Sequence, residues 1–138
     1  MAPRGGSAAL IAIALSVAAC GGSVVADGVT MLRTGLMNGG PTAIANGTLH
    51  FRDGCVWLQE APDVSVVVLW PFGANLDAST GSLAVTLENK RYVEGDVVTL
   101  GGGEVNDVAY VRSLVGTIPD ACLTARYWLA TGPAVWKP

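Results

Sequence analysis

Between Pro62 and Pro71 the chain carries Val64-Ser65-Val66-Val67-Val68-Leu69-Trp70, a short, β-branched and almost unbroken apolar run. Its length is that of a strand, and its composition is that of a strand buried on both faces. A central strand of a covered sheet is therefore the element this sequence demands most firmly.

The surrounding sequence keeps a two-residue period. Leu49 and Phe51 alternate with His50 and Arg52, Asp53-Gly54 supplies a tight turn or bulge, and Cys55-Val56-Trp57-Leu58 resumes the strand. Leu83, Val85 and Leu87 alternate with Ala84, Thr86 and Glu88, and the turn Glu94-Gly95-Asp96 leads into another strand over residues 97–100. Val108, Tyr110 and Arg112 fall on one face of a further strand, with Ala109 and Val111 on the other. Thr117-Ile118-Pro119-Asp120 reads as a connection returning Cys122 to the core, and Tyr127 and Leu129 close the series. No stretch past the N-terminal segment holds a sustained helical period. The pattern predicts an all-β domain over residues 44–132. The expected architecture is a small closed or partly open barrel of five to six strands, of the OB type, with a β-sandwich as the alternative. Residues 133–138 read as a tail.

The N-terminal segment has a different character. Residues 1–7 carry one charge, Arg4, residues 8–17 are overwhelmingly apolar, and Ala18 and Ala19 follow. This charged, apolar, small-residue order is that of a secretory signal over residues 1–19, and it is too short for the roughly 20 apolar residues of a membrane-spanning helix. Val17-Ala18-Ala19-Cys20 resembles the lipobox of bacterial lipoproteins. That resemblance implies diacylglyceryl transfer to Cys20, cleavage before it, and often acylation of the new amino group. Two or more acyl chains give stable attachment.

Three cysteines leave an odd one in an exported chain. With Cys20 lipidated, Cys55 and Cys122 remain as a natural disulfide pair for an oxidising compartment, the alternative being two buried free thiols. Residues 20–43 are rich in Gly, Ser, Thr and small residues and read as a flexible linker of about 25–30 Å root-mean-square span. Within it, Thr30-Met31-Leu32-Arg33 and Leu36-Met37 are too apolar for a pure linker and suit a short strand or turn packed on the domain.

A wider resemblance follows from the order of motifs. Gly47-Thr48-Leu49, Asp53-Gly54-Cys55, Leu69-Trp70-Pro71-Phe72-Gly73, Gly95-Asp96-Val97-Val98 running into Leu100-Gly101-Gly102-Gly103, then Cys122 with Tyr127-Trp128, resemble a group of small uncharacterised bacterial secreted proteins and lipoproteins. The resemblance spans roughly residues 45–130 and brings no activity with it.

Chemistry is sparse. His50 is the sole histidine, and on its alternating strand it points to solvent. No zinc or calcium motif occurs, so no metal or cofactor is expected. Gly101-Gly102-Gly103 precedes Glu104 and Asp107, an acidic setting that repels phosphate and fits a barrel bend or bulge. The carboxylates of Glu94/Asp96 and Glu104/Asp107 sit in turns, where they serve solubility and backbone bonding. No catalytic residue is assigned. Trp128, on the face opposite Tyr127 and Leu129, and Trp136 are the candidate ligand contacts, since an exposed aromatic stacks on sugars or marks a protein contact.

Without residues 1–19 the chain has seven basic residues against eleven acidic ones, a net charge of −4. That balance opposes nucleic-acid binding, which rewards clustered Lys and Arg. The expectation is a lipid-anchored module on the extracytoplasmic face of a bacterial membrane, binding an envelope protein or glycan. The alternatives are a structural envelope component without a discrete ligand and, third, a small hydrolase.

Overall fold

The computed structural model describes residues 21–37 and 39–133. Among the described residues there are ten strands: β1 (Gly22–Ala26), β2 (Val29–Arg33), β3 (Ala43–Arg52), β4 (Cys55–Ala61), β5 (Val64–Trp70), β6 (Asn75–Asp77), β7 (Ala84–Leu87), β8 (Lys90–Val93), β9 (Val97–Val105) and β10 (Tyr127–Pro133). Five of them close a ring in the order β3-β4-β5-β10-β9 and back to β3, in which only the β5–β10 pair is parallel. This is the five-stranded barrel of the OB type anticipated from the sequence. Closure satisfies the backbone groups that an open sheet would leave at its edges.

Two-residue turns set the registers. Asp53 and Gly54 both have positive φ (53° and 82°), the geometry of a type I′ hairpin, and Arg52 pairs with Cys55 across it. Alternation then sends each strand's side chains to two separate cores. Leu49, Val56, Leu58, Val66, Val68, Trp70, Leu100 and Trp128 fill the barrel interior, and the sheet β6-β7-β8 adds Leu76, Val85 and Leu87 to the same cluster. Cys55, Val67, Leu69, Tyr127 and Leu129 point outward and are just as buried.

What buries that outer face corrects the reading of residues 108–112 as a strand. Residues Val108–Val115 form a helix, α1. Asp107 caps it by accepting from the Ala109 and Tyr110 backbone N–H groups, and Gly116, at φ 81°, donates to the Arg112 carbonyl as it ends. Val108, Val111 and Val115 lie on its inner stripe, while Tyr110 and Arg112 face outward. At two turns the helix is too short to show a sustained period. Past it, a 3₁₀ turn (Asp120–Cys122) delivers Cys122 to Cys55, and the two are disulfide-bonded with Cα atoms 5.3 Å apart. The Tyr127 hydroxyl locks this return by donating to the Cys122 carbonyl (3.0 Å) and accepting from the Thr124 N–H (3.1 Å).

The flexible linker expected over residues 20–43 is corrected over residues 22–33. β1 begins at Gly22 and forms an antiparallel hairpin with β2, joined by Asp27 and Gly28, both at positive φ. β2 lodges where β4 and β5 diverge beyond the Trp57–Val67 pair. Thr30 pairs with Cys55, and Leu32 and Arg33 pair with Leu69 and Trp70. Met31 and Leu32 are fully buried, one in each core. Of the two alternatives kept open for Thr30-Met31-Leu32-Arg33, a strand packed on the domain is the outcome.

Candidate functional site

Barrels of the OB type take oligonucleotides and oligosaccharides on the outer face of their second and third strands. Here those strands are β4 and β5, and that face is filled by its own chain. Cys55, Val67 and Leu69 have no exposed surface beneath α1 and the disulfide. Trp57, further along, is partly buried, with the Arg52 guanidinium 5.2 Å from its ring and its Nε1–H donating to the Arg52 carbonyl. The surface that the fold offers elsewhere is used for packing.

An open cleft of about 400 Å³ lies instead at the end of the barrel where β5 and β10 finish and β3 begins. Its walls come from the segment between β2 and β3, from Pro71 and Phe72 after β5, and from Ala130 and Thr131 of β10. No charged residue lines it among the described residues. The rim is apolar and exposed: Leu36 at 77%, Phe72 at 43% and Met37 at 41%. The Arg33 guanidinium stands behind the rim, 6.0 Å from the Phe72 ring centre, and donates to the Ala74 carbonyl. Its Nε is buried without a partner among the described residues.

His50 is better connected than its strand position implied. Its Nδ1 lies 2.5 Å from Glu94 Oε2 and its Nε2 lies 3.0 Å from Gln59 Oε1. The Gln59 amide is oriented by its own donation to the Pro62 carbonyl, so Oε1 is the atom presented to the ring. Each ring nitrogen thus has a side-chain oxygen as its partner. Glu94 also accepts from the Phe51 N–H at 2.7 Å. The network ties β3, β4 and the turn before β9 together, and the described hydrogen-bond partners of His50 include no hydroxyl or thiol.

Four other acidic residues have structural partners. Asp96 accepts from the Val93 N–H, Asp107 caps α1, and Glu104 pairs with Arg126 at 2.5 Å. Asp77 is bound by the Arg91 guanidinium, which also reaches Thr80 and Ser82. Among the described residues no group of three or more His, Cys, Asp and Glu could hold a metal ion, and no helix is long and apolar enough to cross a membrane.

Of the residues singled out in the sequence, Trp128 requires correction. Alternation does set it opposite Tyr127 and Leu129, but both faces are covered. Trp128 is 6% exposed inside the barrel, and its Nε1 has no partner among the described residues. It is a core residue, not an exposed ligand contact. Trp136 and Cys20 lie outside the described residues. Gly101, Gly102 and Gly103 are part of β9 opposite an irregularity of β10 between Ala130 and Gly132, as a glycine-rich barrel bend requires. Leu36-Met37, expected as a short strand or turn packed on the domain, is instead exposed at the cleft rim beside Phe72.

Comparison with protein-family models, with curated proteins and with solved structures finds no match.

Proposed function

We propose that the chain is a bacterial lipoprotein whose barrel is held at the extracytoplasmic face of a membrane through Cys20 and acts as an interaction module. The observation that carries this reading is the Cys55–Cys122 bond. Two of the three cysteines are consumed by it, and the third is the one that completes Val17-Ala18-Ala19-Cys20 after an apolar signal-like segment. A disulfide also fits an oxidising compartment outside the cytoplasm.

The contact surface in this reading is the uncharged cleft with its rim of Leu36, Met37 and Phe72. Large apolar side chains left exposed together around a concavity are what contact surfaces are made of.

The test is the intact mass of the protein extracted from membranes, before and after reduction. The expected species begins at Cys20, is heavier than the bare chain by at least a diacylglyceryl group, and gains two mass units on reduction. Cys20→Ser should retain its signal and lose the lipid. A native chain carrying no lipid would refute the reading.

A further inference from the structure

Gly21 is packed into the domain. A Cβ at this position would stand 2.6 Å from the Gly35 nitrogen, 2.8 Å from the Leu114 carbonyl oxygen of α1 and 2.9 Å from the Arg33 carbonyl oxygen, and β1 enters its pairing with β2 one residue later, at Gly22 and Arg33. Cys20 is the preceding residue, and consecutive Cα atoms are no more than about 3.8 Å apart. The residue bonded to Cys20 is therefore seated between Gly35, itself a wall of the cleft, and the last turn of α1. No spacer separates the attachment point from the folded barrel.

We infer that the cleft end of the barrel rests on the lipid bilayer that holds the Cys20 acyl chains, with Leu36, Met37 and Phe72 set into its interface. This rests on the lipid attachment proposed above and names the partner of the same surface. Three features favour a lipid surface as occupant. The rim residues are apolar, exposed and next to the anchor, so anchoring alone brings them to lipid. The cleft has no carboxylate to repel anionic headgroups, in a chain whose net charge is negative, and Arg33 stands just behind the Phe72 ring, where a guanidinium can meet phosphate.

The third feature is the placement of the acids. Asp63 lies in the turn before β5, Glu60 near the end of β4, and Glu104 opposite Arg126 just before β10 begins. All three are at the far end of β5 from Phe72, a strand of seven residues, or roughly 20 Å at about 3.3 Å per residue. These three acids are therefore held away from the rim of Leu36, Met37 and Phe72. Orientation on the membrane is built into the fold by the short connection to Cys20, leaving the Glu60–Asp63–Glu104 end facing away.

Spin labels test this directly. With Cys20 lipidated and Cys55 bonded to Cys122, a thiol introduced by Leu36→Cys or Asp63→Cys is the only free one, and both sites are exposed, so labelling disturbs no packing. Each full-length variant is purified from membranes, its lipidated and oxidised mass is verified, and it is reconstituted into phosphatidylethanolamine–phosphatidylglycerol vesicles. The expected result is that oxygen relaxes the label at 36 more than a water-soluble nickel chelate does, with the reverse at 63. Equal, water-like accessibility at both positions on a lipidated protein overturns the orientation while leaving the anchor intact. A label at 36 that is in water in these vesicles but shielded from both reagents in native membranes assigns the cleft to a protein partner and also overturns it. A mass without diacylglyceryl removes the anchor and the orientation together.

Discussion

A Cβ placed on Gly102 would stand 1.8 Å from the carbonyl oxygen of Leu129 and 2.9 Å from the Trp128 indole nitrogen. Gly102 also has φ 149°, so an alanine there meets backbone it cannot displace in a conformation it avoids. The absence of a side chain at this interior position is what gives the Trp128 ring room inside the barrel. Gly102→Ala is expected to cost on the order of 3–5 kcal/mol, in the range reserved for strained core sites. Gly81→Ala, at φ 86° with open space around it, should cost only about 1–2 kcal/mol. Urea midpoints of the two variants check the difference, and equal losses would mean that backbone conformation alone, and not the close approach, makes Gly102 necessary.

The Tyr127 hydroxyl serves two backbone groups of the segment that carries Cys122. Tyr127→Phe keeps the ring and strips both bonds, for an expected loss of about 1–3 kcal/mol, since the buried Cys122 carbonyl is left without that donor. The Cys55→Ala, Cys122→Ala double variant should lose roughly 4 kcal/mol in the chain-entropy model, because the bond closes a loop of 67 residues. The two effects concern one segment, so they should be non-additive. Additive losses in the triple variant would show that the tyrosine acts independently of the disulfide.

Much of the barrel is readable from residue pattern. The run Val64–Trp70 became a strand covered on both faces, and Asp53-Gly54 a two-residue hairpin. Asp27-Gly28 carries the same turn signal between Val24-Val25-Ala26 and Val29-Thr30-Met31, and it was obscured by the glycine and small residues around it. The helix α1 was obscured for another reason. Val108 and Val111 belong to one stripe at helical spacing, but Val108, Tyr110 and Arg112 also satisfy alternation, and two turns do not separate the periods. Asp107 and Gly116, a cap at each end, were the deciding residues. Missing α1 is what made Trp128 look half exposed, since without a cover one face of β10 must be wet. The cleft was beyond sequence reasoning because Leu36, Phe72 and Thr131 meet only once the ring has closed.

Arg126 gives the fold an acid-sensitive element. Its guanidinium, hydrogen-bonded to Glu104, holds that carboxyl below its ordinary value of 4.5. Asp77 is lowered in the same direction by hydrogen bonds from Ser79 and by Arg91. An unfolded chain binds these protons more readily than the folded one, so stability rises with pH across this range. The contribution of Glu104 is fully present above its unfolded value and is lost as pH falls through the lower folded one. Arg126→Gln should therefore make the acid limb of a midpoint-against-pH curve shallower below pH 4.5, with little change in its slope at neutral pH. Superimposable acid limbs would mean that the pair is too well solvated to matter.

Residues 22–33 offer the sharpest contrast between a tether and a structural element. Met31 has no exposed surface and packs inside the barrel, whereas Leu36, five residues later, is 77% exposed at the cleft rim. In a flexible linker both would be silent to truncation. In the observed fold Met31→Ala removes a buried side chain from the main core and should cost about 2–5 kcal/mol, while Leu36→Ala should stay within about 0.5 kcal/mol. Amide exchange adds a second readout. The Thr30 N–H donates to the Gly54 carbonyl and the Thr34 N–H to the Trp70 carbonyl, both at 2.9 Å, so these amides should exchange as slowly as those of the barrel strands they join. A silent Met31→Ala with fast exchange at Thr30 and Thr34 would return this segment to a tether. It would also remove the rigid link on which a fixed orientation of the domain depends.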